Sequence, residues 1–437
     1  MELFEYQRLD ETDKKYYDII CEALNKCQLK FAINDVDYKH IYDLMRFVEL
    51  DHPEYFFFNG EAYCRSLEKG EKKEYFFQLG SDEQDEETIL HRKYELDRIV
   101  RGVAKAASKA DSLYRTVLFV HDYLVDNTYY DSDTADNKAK DRDSYTAYGC
   151  LVKGKAVCAG YSKAFQMIMQ RLGISCGYVR GVLKDGGRHA WNVVKLDEEY
   201  YYIDVTWDDP VSKEKKAKDL KTHSYFCITS EEVFKERKPD KDVFAPETVA
   251  LDYNYYIYND YFIEKYNFEE FKSIALKQLQ NSYDISVKFS STKEMNRAKK
   301  DLIDNDAAFN IYSGFPSFSY KQDENFNILT ISLKHAEKQQ INKSQKPKRK
   351  NYVETYDFKN IRSILHRQIK ERKTLVVFFP SKDEMDITTQ KLVDDKQLMK
   401  ILRFKYGYYF ARDRIGYRLV FIPMDSSSFE NYIKKNE

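Results

Sequence analysis

Residues 157–173 read V-C-A-G-Y-S-K-A-F-Q-M-I-M-Q-R-L-G; C-G-Y-V-R-G-V-L-K-D-G-G-R-H-A-W-N-V-V-K-L follows over 176–196, and D-E-E-Y-Y-Y-I-D-V-T-W over 197–207. The first piece has the period of a helix. Ala164, Phe165, Ile168 and Leu172 recur at three- and four-residue spacing, Tyr161 lies a turn earlier on the same stripe, and Gly173 stands where a left-handed residue ends a helix. Cys158 therefore falls at the helix N-terminus, where unpaired N–H groups and the helix dipole favour a thiolate.

The other pieces read as strands. Cys176–Leu183 runs to a turn at Asp185-Gly186-Gly187, and His189–Leu196 and Tyr200–Trp207 are joined across Asp197-Glu198. A two-residue hairpin there sets His189 opposite Thr206, with Asp204 its diagonal neighbour on the same face; a four-residue loop keeps that parity and a three-residue loop breaks it. A diagonal of roughly 7–8 Å lets a carboxylate hold an imidazole. Cys158, His189 and Asp204 thus form a candidate nucleophile, base and orienter for acyl transfer through a thioester. The Cys158 N–H is a natural oxyanion donor, and Tyr145 and Tyr148 are candidates for the second. Trp191 and Trp207, the only tryptophans, flank the set. His121 is the rival base, read as a packing or capping residue, and His223 is expected at most behind the site.

Taken together, V-C-A-G-Y, H-A-W-N and Y-I-D-V-T-W-D-D resemble the core of the transglutaminase-like superfamily, a papain-like group using Cys, His and Asp. V-H-D-Y-L and Y-Y-D before the core, and H-S-Y-F-C-I-T-S after it, are similar to bacterial members. The resemblance covers at least Val157–Asp209 and places Cys158, His189 and Asp204 on the three catalytic positions. It implies an α+β core, a cysteine-bearing helix packed on an antiparallel sheet that carries His and Asp, and a protein or peptide substrate. Residues 156–159, A-V-C-A, stand where animal crosslinking enzymes have Gly-Gln-Cys-Trp, and no calcium-loop pattern of spaced carboxylates is present. Hydrolysis of an amide is therefore expected ahead of transfer to an amine. The superfamily also holds members without known activity, so the rival reading is a catalytically idle scaffold that binds a protein partner. Removal of Asn-linked glycans resembles what some relatives do, but no sugar-binding feature accompanies it here.

Outward from this core, residues 1–95 read as a helical lead-in (Tyr16–Cys27, Tyr38–Leu50) and short strands (Tyr55–Phe58, Glu61–Leu67, Glu74–Leu79), and 96–235 as the catalytic domain. Across that boundary 89–127 reads as one or two amphipathic helices, and Asn127–Ser144 as an exposed loop at the mouth of the site. A connector spans 236–263. The last third repeats itself: Y-N-F-E-E-F-K-S-I from Tyr266 recurs as Y-D-F-K-N-I-R-S-I from Tyr356, and V-K-F-S-S-T-K-E-M from Val287 as V-F-F-P-S-K-D-E-M from Val377. Two α+β modules follow, at 264–334 and 353–437, joined by a basic, mobile linker at 335–352. Neither carries a paired nucleophile and base, so both are expected to bind a partner or to serve the architecture.

Over 437 residues, 71 Lys and Arg face 72 Asp and Glu. That balance argues against a general nucleic-acid or membrane-surface binder. Seven cysteines at irregular spacing without a C-x-x-C pair fit neither a disulfide framework nor a zinc site, and the aspartates of 131–143 lack the glycine and terminal glutamate of a calcium loop. No metal or cofactor is expected. The N-terminus lacks a signal peptide, no stretch reaches membrane-span length, and the cytoplasm is the expected compartment.

Overall fold

The computed structural model describes residues 1–34, 38–69, 72–81, 85–209, 221–280, 282, 284–305, 307–311 and 317–334, then 375–379, 387, 406–413 and 416–423. The architecture is α+β, and contacts divide the chain into two compact units, Met1–Asn259 and Asp260–Glu437.

The first unit has two apolar cores that share one helix. Helices Glu11–Asn25 and Tyr38–Asp51 pack with a three-stranded antiparallel sheet ordered Lys30–Asn34, Lys72–Ser81, Phe58–Lys69. The next helix, Glu86–Ala107, starts where Asp85 accepts from the Thr88 N–H. Its first turn gives Ile89 to this core; Leu96, Val100, Val103 and Ala107 enter the central core with Leu113–Asn127 and Cys158–Arg171. Two readings of this region need correction. Tyr55–Phe57 is not a strand: these residues lead into the Phe58–Lys69 strand through two backbone turns, and Tyr55 and Phe57 are buried in the core. Lys30–Asn34 is an unforeseen edge strand, too short and polar to show a period, with Ile33 its only buried side chain.

The central sheet runs Glu199–Ile203, Arg188–Leu196, Cys176–Leu183, Arg237–Pro239, all antiparallel. Leu196 pairs with Glu199 across the two-residue turn expected at Asp197-Glu198, where Asp197 has φ 53°. Against expectation, the last strand does not continue to Trp207. It stops at Ile203, opposite Asn192, and Asp204 caps a one-turn helix, Val205–Asp208, by accepting the Trp207 N–H at 3.1 Å. A short acceptor side chain beside free N–H groups competes with the ladder and wins here.

The 127–144 segment also differs from a bare exposed loop. Tyr129–Tyr130 pairs in parallel with Lys155–Ala156. Asp131 is buried and accepts from the Thr134 and Ser144 hydroxyls, at 2.6 Å each, and from Lys155 at 2.9 Å. The Val157 N–H donates to the Ser144 carbonyl at 2.9 Å. This segment braces the residues that lead into Cys158.

In the second unit, helices Phe268–Gln278 and Thr292–Lys299 pack on a sheet ordered Phe262–Ile263, Asp284–Phe289, Ile328–Lys334, Ser317–Asp323. Further on, Leu375–Phe379, Gly416–Pro423 and Tyr406–Asp413 form an antiparallel sheet in that order. Ile285 pairs with Ile331, and Leu375 with Phe421, each 90 positions on (375 against 285, 421 against 331). The hairpins close at Asp323 and Ile328 in one sheet and at Asp413 and Gly416 in the other. The expected basic linker, and the helices expected in the second module apart from residue 387, lie outside the described residues. Among the described residues, no helix is long and apolar enough to cross a membrane.

Candidate active site

Cys158 is the first residue of the helix Cys158–Arg171 and is partly exposed. The stripe named above faces the core: Tyr161, Ala164, Phe165 and Ile168 are buried, with Leu172 partly so. Gly160, in the first turn, lies so close to the brace that a Cβ there would sit 2.5 Å from the Ser144 carbonyl oxygen and 2.7 Å from the Ala156 Cβ. Only glycine lets the helix start against that backbone. The opposite side of the helix is docked to the N-terminal region. Gln166 and Gln170 donate to the carbonyls of Leu50 and Asp51 at 2.7 and 2.8 Å, and Lys163 pairs with Glu49 at 3.0 Å. The helix that Cys158 begins is thus held from both sides.

His189 and Asp204 meet, although Asp204 has left the strand on which the parity argument placed it. His189 Nε2 and Asp204 Oδ2 lie 2.7 Å apart, both buried. Cys158 lies near enough to the ring to favour its charged form. Burial disfavours the charged imidazole, but the Asp204 carboxylate, the hydrogen bond to it and the nearby Cys158 outweigh burial, raising the pKa to about 9. For Asp204, burial pulls upward and loses to His189 and Arg237, which bring its pKa down to about 2. Both shifts favour the charged forms, imidazolium and carboxylate.

Both tryptophans flank this pair as expected, Trp207 with its ring 5.0 Å from that of His189 and Trp191 at 6.0 Å. The tyrosine candidates part company. Tyr145 is exposed, whereas Tyr148 packs on Phe56, lies under Arg92 and donates its hydroxyl to Glu95 at 2.8 Å. The Tyr148 hydroxyl is therefore engaged away from Cys158. Two tyrosines not singled out in the sequence, Tyr130 and Tyr178, sit close enough to Cys158 that, with burial the larger cause, its charge helps raise their pKa values. Their common feature, strand positions beside the nucleophile, appears only once the strands are placed.

His121 and His223 stand apart in a charged cluster. The buried His121 lies 3.2 Å from Asp208 through Nε2 and 3.0 Å from Asp122 through Nδ1. His223 Nε2 is 2.8 Å from the same Asp122 oxygen, and Lys221 is 3.3 Å from the other. Burial lowers the basicity of His121, yet its two carboxylate partners raise its pKa to about 9. One ligand atom each from His121, Asp122 and His223 falls within 4.8 Å of the others, a spacing that suits a divalent ion. The same atoms are hydrogen-bonded to one another, and Lys221 adds a cation beside Asp122.

The residue that sequence reading missed is Arg237, placed there in a connector. Its guanidinium is fully buried and donates through Nη1 to Asp204 Oδ2, the oxygen that also faces His189.

A helix that begins at a cysteine, packed on an antiparallel sheet that carries histidine with a carboxylate just past its neighbouring strand, is a papain-like α+β arrangement. Residues 101–205 match the family model of the transglutaminase-like superfamily, and this part of the chain is a transglutaminase-like domain. Human kyphoscoliosis peptidase is 30% identical over 86 residues, 17% of this chain, and the chain spans only 13% of that relative's length. Among solved structures, a TGase is 18% identical with a TM-score of 0.24, covering 43% of this chain and 53% of its own. A candidate cysteine protease of Cytophaga hutchinsonii is 12% identical with a TM-score of 0.22, covering 40% and 64%. Both likenesses are too slight to carry weight.

Proposed function

We propose that the domain is a thiol hydrolase acting on amide bonds of a protein or peptide, with Cys158 as nucleophile, His189 as acid and base, and Asp204 as orienter. The observation that carries this reading is the buried His189–Asp204 pair, with its ring near a cysteine that starts a helix. The thiolate attacks the carbonyl carbon, and the Cys158 N–H faces the oxyanion that forms. The imidazolium gives its proton to the leaving amine as the C–N bond breaks, leaving a thioester. Neutral His189 then takes a proton from water, whose oxygen displaces the sulfur and restores the thiolate.

The peptidase name of the human relative favours water over an amine as acceptor, in line with Ala156-Val157-Cys158-Ala159 at the nucleophile. A reducing, cytoplasmic setting belongs to the same reading, since all seven cysteines are free. The finer division of the chain (1–95, 96–235, 236–263, 264–334, 335–352, 353–437) is also proposed, with the last third as two related binding or architectural modules. The equal 90-residue displacement of both members of a strand pair supports that relation.

The test is turnover of internally quenched peptide libraries by the native protein and Cys158→Ser, with incorporation of a primary amine monitored by mass spectrometry alongside. Cleavage lost in Cys158→Ser supports the reading, and amine incorporation without cleavage replaces it with transamidation. If neither occurs and Cys158 has the reactivity of the other six thiols, the scaffold reading takes its place.

A further inference from the structure

Asp204 Oδ2 has two partners, and only one belongs to the proposed triad. Arg237 comes from the edge strand Arg237–Pro239, which pairs with Cys176–Leu183 so that Leu183 faces Arg237 and Gly181 faces Pro239. Gly181 makes that approach feasible, since a Cβ there would sit 2.1 Å from the Lys238 carbonyl oxygen. The guanidinium carbon then lies 3.9 Å from the Trp207 ring centroid, 5.0 Å from Trp191 and 5.3 Å from Tyr225. Among the described residues its Nε and Nη2 have no hydrogen-bond partner, and there aromatic faces and one carboxylate hold this buried cation. A buried charge set so deliberately against one carboxylate oxygen needs a reason beyond packing, because an apolar side chain fills such a space at lower cost.

We propose that Arg237 is a positioning residue for His189: it holds the Asp204 carboxylate in place and takes a share of its charge, so that the imidazolium is kept but not held too tightly to give up its proton. This inference rests on the triad reading. With Asp204 facing His189 alone, the full carboxylate charge would act on the ring, and the ring would release its proton to a leaving amine less readily. With Arg237 present, two cations divide one oxygen. The Trp207 ring, near both, excludes water and keeps the division undiluted by solvent.

The experiment is an NMR titration of the His189 ring in the full chain, its signals assigned by their loss in His189→Gln. R237Q and R237M both remove the charge, and R237K keeps it. Folding is checked by near-ultraviolet circular dichroism. The expected result is a His189 midpoint raised by about one pH unit or more in whichever charge-removing variants fold, from the loss of a cation that shares Asp204 Oδ2 with the ring. R237K should stay near the native midpoint. A midpoint unmoved or lowered in R237Q and R237M overturns the proposal, as does a shift of about a unit in R237K, which would point to lost packing on Trp207. If neither charge-removing variant folds, R237K decides alone by the same criterion. Failure of the triad reading is read separately, from alkylation of Cys158 in the native protein. The titration of His189 needs no turnover.

Discussion

Removing the negative charge of Asp204 should uncouple His189 from Cys158, and Asp204→Asn is the substitution that does so at nearly constant volume. Two unit charges about 4 Å apart at an effective dielectric near 20 interact by ~4 kcal/mol, which is about three pKa units. The pKa of His189, raised to about 9 in the native protein, should therefore fall to about 6 or lower, because burial and the stranded Arg237 cation both act against the charged ring. At pH 7.5 the imidazolium fraction would drop from nearly complete to about 3%. The thiolate at Cys158 would lose its counter-charge in the same proportion, roughly 30-fold. The assay is alkylation by iodoacetate, followed at each cysteine by mass spectrometry between roughly pH 5 and 9. An anionic reagent reports the imidazolium, so alkylation of the native protein should fall off near pH 9 as His189 loses its proton. In Asp204→Asn that fall should move below neutrality. Leaving Arg237 buried and unpaired costs about 3–5 kcal/mol, so folding must be verified. His189→Gln leaves the Asp204–Arg237 pair intact and serves as the companion variant. A native-like profile in folded Asp204→Asn would refute the electrostatic account of the site.

Stability should follow the same two groups. The folded pKa of His189 is raised, so its contribution is fully present below about 6.5 and is lost as pH rises through about 9; that of Asp204 is lowered, so its contribution is present above about 3.8 and is lost as pH falls through about 2. Urea midpoints across pH should show the alkaline loss in the native protein and a flatter limb in His189→Gln. Gly160→Ala should cost about 1–3 kcal/mol, read from chemical denaturation, because the new methyl meets backbone oxygens that cannot withdraw; Cys158 alkylation should slow with it. Burial raises the Asp209 pKa to about 6, a penalty absent below about pH 3.8 and complete above about 6. Asp209→Asn should accordingly raise the melting temperature at pH 8 and leave it nearly unchanged at pH 4, and an equal shift at both would count against the charge explanation.

What the sequence by itself determined were the features set by neighbours a few positions apart. The stripe from Tyr161 to Leu172 placed Cys158 at a helix start, and the Asp197-Glu198 turn put His189 and Asp204 within reach of each other, because periodicity and turn chemistry act over one helical turn or one hairpin. The residue types that recur at a fixed spacing in the last third are a pattern of the same local kind. Only the tertiary structure decided how Asp204 leaves its strand to cap Val205–Asp208, how Asp131 draws a polar loop under Val157, and how Gln166 and Gln170 dock the Cys158–Arg171 helix on residues 50 and 51. Arg237 shows the limit most plainly. It lies 33 positions from Asp204 in a stretch that reads as connector, and nothing in its local sequence marks it. Its role arises because a glycine in one strand, two tryptophans in other elements and one carboxylate oxygen converge on it. Such convergence depends on which distant surfaces the folded chain brings together, a choice set by the packing of the whole domain.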